Sequence, residues 1–159
     1  SEQYSRRMCF RVEGVGMPQN GKQETAEDIL KEVKNIISAA GLSIPEDAID
    51  RAHRIGKGRI VAGQRQRQII VKFTSFKHRT MLYKARKAVS PRVRIYLDLT
   101  HARKQILDDI NSNIREQQLQ DCFAFADVNC RLCVKLGGTF NYVSSYNDYA
   151  LLLKQRPSN

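Results

Sequence analysis

The heptapeptide Arg67-Gln68-Ile69-Ile70-Val71-Lys72-Phe73 leaves little choice of secondary structure. With a period of two, Ile69, Val71 and Phe73 share one face, and Gln68, Ile70 and Lys72 share the other. Such a strand buries one side and shows a cation on the other. It is expected at the middle of a sheet that has one solvated face, with the rest of the chain arranged about it.

Upstream, Met8, Phe10 and Val12 alternate with Cys9, Arg11 and Glu13, giving a first half-buried strand with Arg11 facing outward. A loop containing Gly14, Gly16, Pro18, Asn20 and Gly21 follows. Thr25 and Asp28 form a capping box, and the stripe Ile29, Leu30, Val33, Ile36, Ile37, Ala40 predicts a helix from about 26 to 40, closed by Gly41. Ala48 to Ile55 reads as a second strand carrying Arg51 and Arg54. Lys57 to Gln66, a mixture of Gly, Lys, Arg and Gln without periodicity, reads as a flexible cationic loop. Ser75 caps a helix to about Val89, with Met81, Leu82, Ala85 and Val89 on one face flanked by Arg79 and Arg86. Past Pro91, Val93, Ile95 and Leu97 alternate with Arg92, Arg94 and Tyr96 in a fourth strand.

Strand, helix, strand, strand, helix, strand is the order of a ferredoxin-like sandwich of the RNA recognition motif (RRM) kind. Both helices then cover one face, and Arg11, Gln68, Ile70 and Lys72 lie side by side on the other. A second α+β domain is expected from residue 98: a helix from Thr100, a three-stranded antiparallel sheet and a last helix. The first helix has the stripe Ile106, Leu107, Ile110, Ile114, and at about 100° per residue Arg103 continues that stripe one turn earlier. Arg103 there either points past the core into a cleft or snorkels. Phe123 and Phe125, then Leu132, Val134 and Leu136, then Phe140 and Tyr142 mark the strands, with turns at Asp127-Val128-Asn129 and Gly137-Gly138. Ser145 and Asp148 cap the last helix, which stops at Pro157. The domains are therefore 1–97 and 98–159.

Charge separates the two parts. The chain of 159 residues carries net +11, all of it in residues 1–97, whereas residues 98–159 balance to zero. No acid occurs between Asp50 and Asp98, a stretch holding 14 Lys and Arg. Unopposed cations repel one another in a compact domain, so a polyanion is the expected partner, where a merely solubilising surface would mix both signs. No apolar run reaches the roughly 18 residues of a membrane span, and no secretory signal opens the chain. An intracellular protein without a membrane partner is expected, and the start at Ser1 leads us to expect a fragment.

The order Arg6-Arg7, Phe10-Arg11-Val12-Glu13-Gly14-Val15, Ile69-Ile70-Val71-Lys72-Phe73-Thr74, Met81-Leu82 with Ala85-Arg86, and Arg156-Pro157 resembles the RNA-binding first open reading frame protein of LINE-type (non-LTR) retrotransposons. The resemblance covers nearly the whole chain, including the small second domain that ordinary RRMs lack. It implies sequence-tolerant binding of single-stranded RNA and DNA in a basic cleft between the domains. It further implies nucleic-acid chaperone activity in a retrotransposon ribonucleoprotein, trimerisation through an upstream coiled coil, and a cytoplasmic location with the nucleus as a second option. By position it implicates Arg7, Arg11, Lys72, Arg86 and Arg103, and more loosely the cationic loop with Arg54, Lys57, Arg59, Arg65 and Arg67. Arg131 completes the candidate set. The chain departs from ordinary RRMs in its central strands, which carry Arg11, Gln68 and Ile70 where an RRM has stacking rings, and from the mammalian pattern of the family in the C-terminal hairpin. Val128 stands near the place of a stacking Tyr, so Phe123 or Phe125 substitutes for that ring or the contact is absent.

Other chemistry is weakly signalled. Gly16 to Gln23 is one residue short of the phosphate-binding loop G-x-x-x-x-G-K-[ST], since Gln23 has no hydroxyl for Mg²⁺. Cys130 and Cys133 have CxxC spacing but no second pair, and with Cys9 and Cys122 read as reduced thiols. His53, His78 and His101 are scattered, and Asp108 and Asp109 diverge on a helix surface. No catalytic set, metal site or cofactor is expected. The alternatives are an RRM-fold protein-interaction module and a nucleotide-hydrolysing enzyme working through Lys22.

Overall fold

The computed structural model describes residues 2–18 and 22–156. Gln19, Asn20 and Gly21 of the near-phosphate loop, and the helix stop at Pro157, lie outside the described residues. The fold is mixed α+β with two antiparallel sheets, one of four strands and one of three. The chain divides into one unit of Arg7–Asp98 and another of Leu99–Asn159 together with Ser1–Arg6. The break falls one residue beyond the expected boundary, and the opening residues group with the second unit instead of the first. The cause is visible in helix α1 (Glu2–Arg6), where Gln3 is buried and its Oε1 accepts the Thr100 backbone N–H at 2.7 Å. Arg6 reaches the Leu99 carbonyl and pairs with Glu2 one turn back.

In the Arg7–Asp98 unit, β1 (Cys9–Glu13), α2 (Ala26–Ala39), β2 (Ile49–Val61), β3 (Gln64–Phe73), α3 (Phe76–Lys84) and β4 (Arg94–Leu97) follow in order. The sheet order is β2-β3-β1-β4. Phe10, Val12, Ile69, Val71, Phe73 and Ile95 turn to one side and pack with Ile29, Val33, Ile36 and Ile37 of α2 and Leu82 of α3. Both helices therefore cover the same face. α2 starts where Thr25 and Asp28 exchange side-chain-to-backbone bonds of 3.1 and 3.0 Å, and the Thr25 backbone N–H is the main reason the Asp28 carboxyl titrates below its usual range.

Two expectations are corrected. The stretch from Lys57 to Gln66 is not a flexible loop but the distal half of a β2–β3 ribbon, paired through Val61 and Gln64. Its turn is Ala62-Gly63, with φ of 50° and 79°, as a two-residue hairpin of this twist requires. A bulge between Ile55 and Arg59 breaks the alternation, and Gly56 and Gly58 supply positive φ there. Both faces of this distal half are solvated, so no hydrophobic period marks it in the sequence. The second correction concerns α3, which ends at Lys84 and gives way to a 3-10 turn over Arg86–Ala88. Arg79 does not flank its apolar face but is fully buried, with its guanidinium carbon 4.6 Å from the Phe10 ring centroid and 5.1 Å from that of Phe76.

In the second unit, α4 (His101–Glu116) and α5 (Tyr146–Gln155) pack on one side of β5 (Cys122–Ala126), β6 (Leu132–Leu136) and β7 (Thr139–Val143). Ile110, Leu132, Val134, Val143 and Tyr149 are the buried centre. The Tyr149 hydroxyl donates to Asn113 Oδ1 at 2.6 Å. No described helix is long and apolar enough to cross a membrane.

Candidate nucleic-acid interface

The open face of the four-stranded sheet can be read row by row from its register. One row runs His53, Ile70, Arg11, Tyr96 across β2, β3, β1 and β4. A second places Arg51 beside Lys72 and Lys72 beside Cys9. Toward the other end, Ile55 pairs with Gln68, whose Nε2 donates to Glu13 Oε2 at 3.1 Å, and Glu13 is opposite Arg94. Cations, an apolar side chain and rings thus share one surface. Arg11 is held at its centre: Nε donates at 2.8 Å to the buried Asp98 carboxylate, and Nη1 reaches Gln68 Oε1 at 3.4 Å. Fixing the guanidinium in this way lowers the entropy lost when its plane or remaining N–H groups meet a ligand.

The candidate residues do not all gather here. Lys72 does, within 4.0 Å of Asp50. Arg59, Arg65 and Arg67 lie on the β2–β3 ribbon, where Arg65 Nη1 donates to the Lys57 carbonyl and Arg67 Nε to the Gly56 carbonyl, at 2.6 and 2.7 Å. Arg59 pairs with Glu13 and remains largely exposed. Arg7 is exposed just before β1. Arg86 lies on the helical side, its guanidinium 4.0 Å from the Tyr83 ring, which itself stacks on Phe10.

Arg54 is the clear correction, being only 8% exposed. Nε and Nη2 make a fork onto Glu24 at 2.8 and 2.9 Å, Nη1 donates to the Val15 and Arg67 carbonyls at 2.7 and 2.8 Å, and Nη2 also donates to the Gly16 carbonyl at 2.8 Å. A guanidinium has five N–H groups, and all are used within the fold. Arg54 therefore ties the loop after β1 to the ribbon and has nothing left for a phosphate.

Sequence reasoning passed over Arg51, His53, Arg94 and Tyr96. Tyr96 is 40% exposed beside Arg11, and its hydrogen bond with Arg94 raises that already basic pKa. The signal was present in the alternation of the fourth strand, which turns Tyr96 outward, but pairing of β4 with β1 was needed to place it next to Arg11. For β2, the alternation that turns Arg51 and His53 outward is obscured by the irregularity between Ile49 and Arg51.

In the second unit, Arg103 belongs to the fold: Thr100 Oγ1 caps its backbone N–H, and its Nη1 donates to the Cys130 carbonyl at 2.6 Å. It anchors the turn between β5 and β6. Arg131, at the end of that turn, pairs with Asp127 at 3.0 Å, donates to the Tyr142 hydroxyl at 2.9 Å and lies 4.3 Å from the Tyr142 ring centroid. Cys130 occupies this turn at φ 65°, and burial pushes the Cys122 and Cys133 thiols up, so both stay protonated near neutrality. Among the described residues, no three His, Cys, Asp or Glu side chains converge as a metal-ligand set. Comparison with known proteins finds no matching family model and no matching curated relative.

Proposed function

We propose that the Arg7–Asp98 unit is an RRM-like, ferredoxin-like platform that binds single-stranded nucleic acid on its open face, without strict sequence preference. The observation that carries this is the row His53, Ile70, Arg11, Tyr96, with Arg51, Lys72 and Arg94 in the adjacent rows. Side chains of this kind suit the two halves of a nucleotide. Arg51, Lys72 and Arg94 meet phosphates, while Tyr96, His53 and the plane of Arg11 offer surfaces on which bases stack. The pairing of Arg11 with Asp98 is consistent with a positioning element that presents that plane.

The chaperone role, membership of a retrotransposon ribonucleoprotein and self-association rest on the family resemblance and are proposed on that basis. They agree with the physics of such a face, where many screened contacts to phosphate form and break quickly and neutralise the repulsion between strands.

Titration of a fluorescent single-stranded RNA at several salt concentrations, with wild type and with Arg51→Ala/Lys72→Ala, tests the reading. Affinity is expected to fall linearly in log–log form with salt. The double variant should weaken binding about tenfold at low salt and reduce the slope by about 1.4, as for two lost phosphate contacts. Neither side chain belongs to the buried core, so the melting temperature should hold. Salt-insensitive binding, or a variant indistinguishable from wild type, removes this face as the site.

A further inference from the structure

The outward face of β5-β6-β7 is not accounted for by the open face of the other sheet. Pairing places Phe123, Lys135 and Phe140 in one cross-strand row and Phe125, Cys133 and Tyr142 in the next. Their inward neighbours Cys122, Ala124, Ala126, Leu132, Val134 and Val143 face the core under α4 and α5. Phe123, Phe140 and Tyr142 are 47%, 62% and 61% exposed, a large aromatic area to leave in water on a sheet of this size. The rings form a lattice, with centroids 5.8 Å apart for Phe123 and Phe125 and 6.0 Å for Phe125 and Phe140. Cations are set into it. Lys135 Nζ lies 5.4 Å from both the Phe123 and Phe140 centroids, and Arg131 stacks on Tyr142. Neither row contains an acid.

We infer that this face is a second stacking platform, which takes two or more unpaired nucleobases on Phe123, Phe140 and Tyr142 while Lys135 and Arg131 meet the adjoining phosphates. The proposal rests on the single-strand reading above but on different residues in the other unit. Charge decides the occupant. The centre of a protein–protein patch is depleted of charged residues because burying one there has to be compensated, yet Lys135 sits in the middle strand between two rings. A strand of nucleotides supplies both requirements at once, a π-face for each ring and a phosphate for each cation, and it needs no specific base edge. Arg131 is held by Asp127 and by the Tyr142 hydroxyl, so ring and guanidinium are presented as one rigid pair.

The test uses the intact chain and two single strands of equal length, one oligouridine containing photoreactive 5-iodouracil and one with abasic sites in place of the bases. The variant Phe140→Leu/Tyr142→Leu keeps apolar surface and removes two rings. Wild type is expected to crosslink iodouracil to the peptide containing Thr139–Val143, and to bind the base-bearing strand at least about tenfold more tightly than the abasic one. The variant should lose that crosslink and part of the preference, the rest coming from the stacking surfaces of the Arg7–Asp98 unit, while its affinity for the abasic strand falls by much less. If circular dichroism shows that this variant melts early, Phe123→Leu is read in the same way. Crosslinks confined to the Arg7–Asp98 unit, or an undiminished preference in the variants, overturn the platform and leave the proposed function standing. Failure of wild type to bind either strand at low salt overturns both.

Discussion

Two arginines three residues apart on β2 show how little a side chain's identity says about its task. Arg51 is exposed on the open face, whereas Arg54, on the opposite side of the same strand, is enclosed by Glu24 and three backbone carbonyls. Truncating Arg54 leaves a buried carboxylate and three acceptors unpaired. Arg54→Ala is therefore expected to destabilise the Arg7–Asp98 unit by about 3–5 kcal/mol in urea unfolding, with strand binding falling only as the folded fraction falls. An unaltered unfolding midpoint would show that Arg54 is not the tie its five bonds indicate. In the sequence both residues are simply bases in an acid-free run. Which one faces solvent depends on strand parity, and parity was hidden by the bulge at the start of β2.

At the scale of elements, the alternating segments were legible and the ribbon was not. β1, β3, β4 and the three strands of the second sheet follow from a period of two, and α2 from its stripe and capping box, because burial on one side only forces those patterns. The distal half of β2–β3 has no buried side to impose a pattern. Its geometry depends on glycine: at Gly58, φ is 73° and an added Cβ would lie 2.2 Å from the Gln66 carbonyl oxygen. Gly58→Ala is expected to break the pairing from Arg59 to Val61 with Gln64 to Gln66 while the core sheet survives. Hydrogen exchange should then show rapid amide exchange confined to the ribbon, with the core sheet still protected. Protection retained along the ribbon would contradict the steric argument.

The whole molecule combines a strongly basic unit with a nearly neutral one, each with its own core. Their stabilities should accordingly respond to pH separately. Burial pushes the Tyr149 hydroxyl from its ordinary value of 10 up to about 12. The unfolded chain therefore releases this proton first. The stabilisation is complete below pH 10 and is lost as pH rises through 12. Alkaline titration is expected to melt the Leu99–Asn159 unit with a slope that Tyr149→Phe reduces, the buried Cys122 and Cys133 thiols supplying the remainder, at the cost of a lower baseline stability from the lost bond to Asn113. An unchanged slope in the variant would assign the transition to other groups. The sequence by itself determined the secondary-structure periods, the two-part division and the location of the positive charge, since these follow from local alternation and composition. Tertiary structure alone decided which arginines are spent inside the fold, that Tyr96 lies beside Arg11, and that four rings and two cations share one face of the second sheet. Those facts depend on which strands pair and in what register, and pairing joins residues whose separation along the chain carries no local signal.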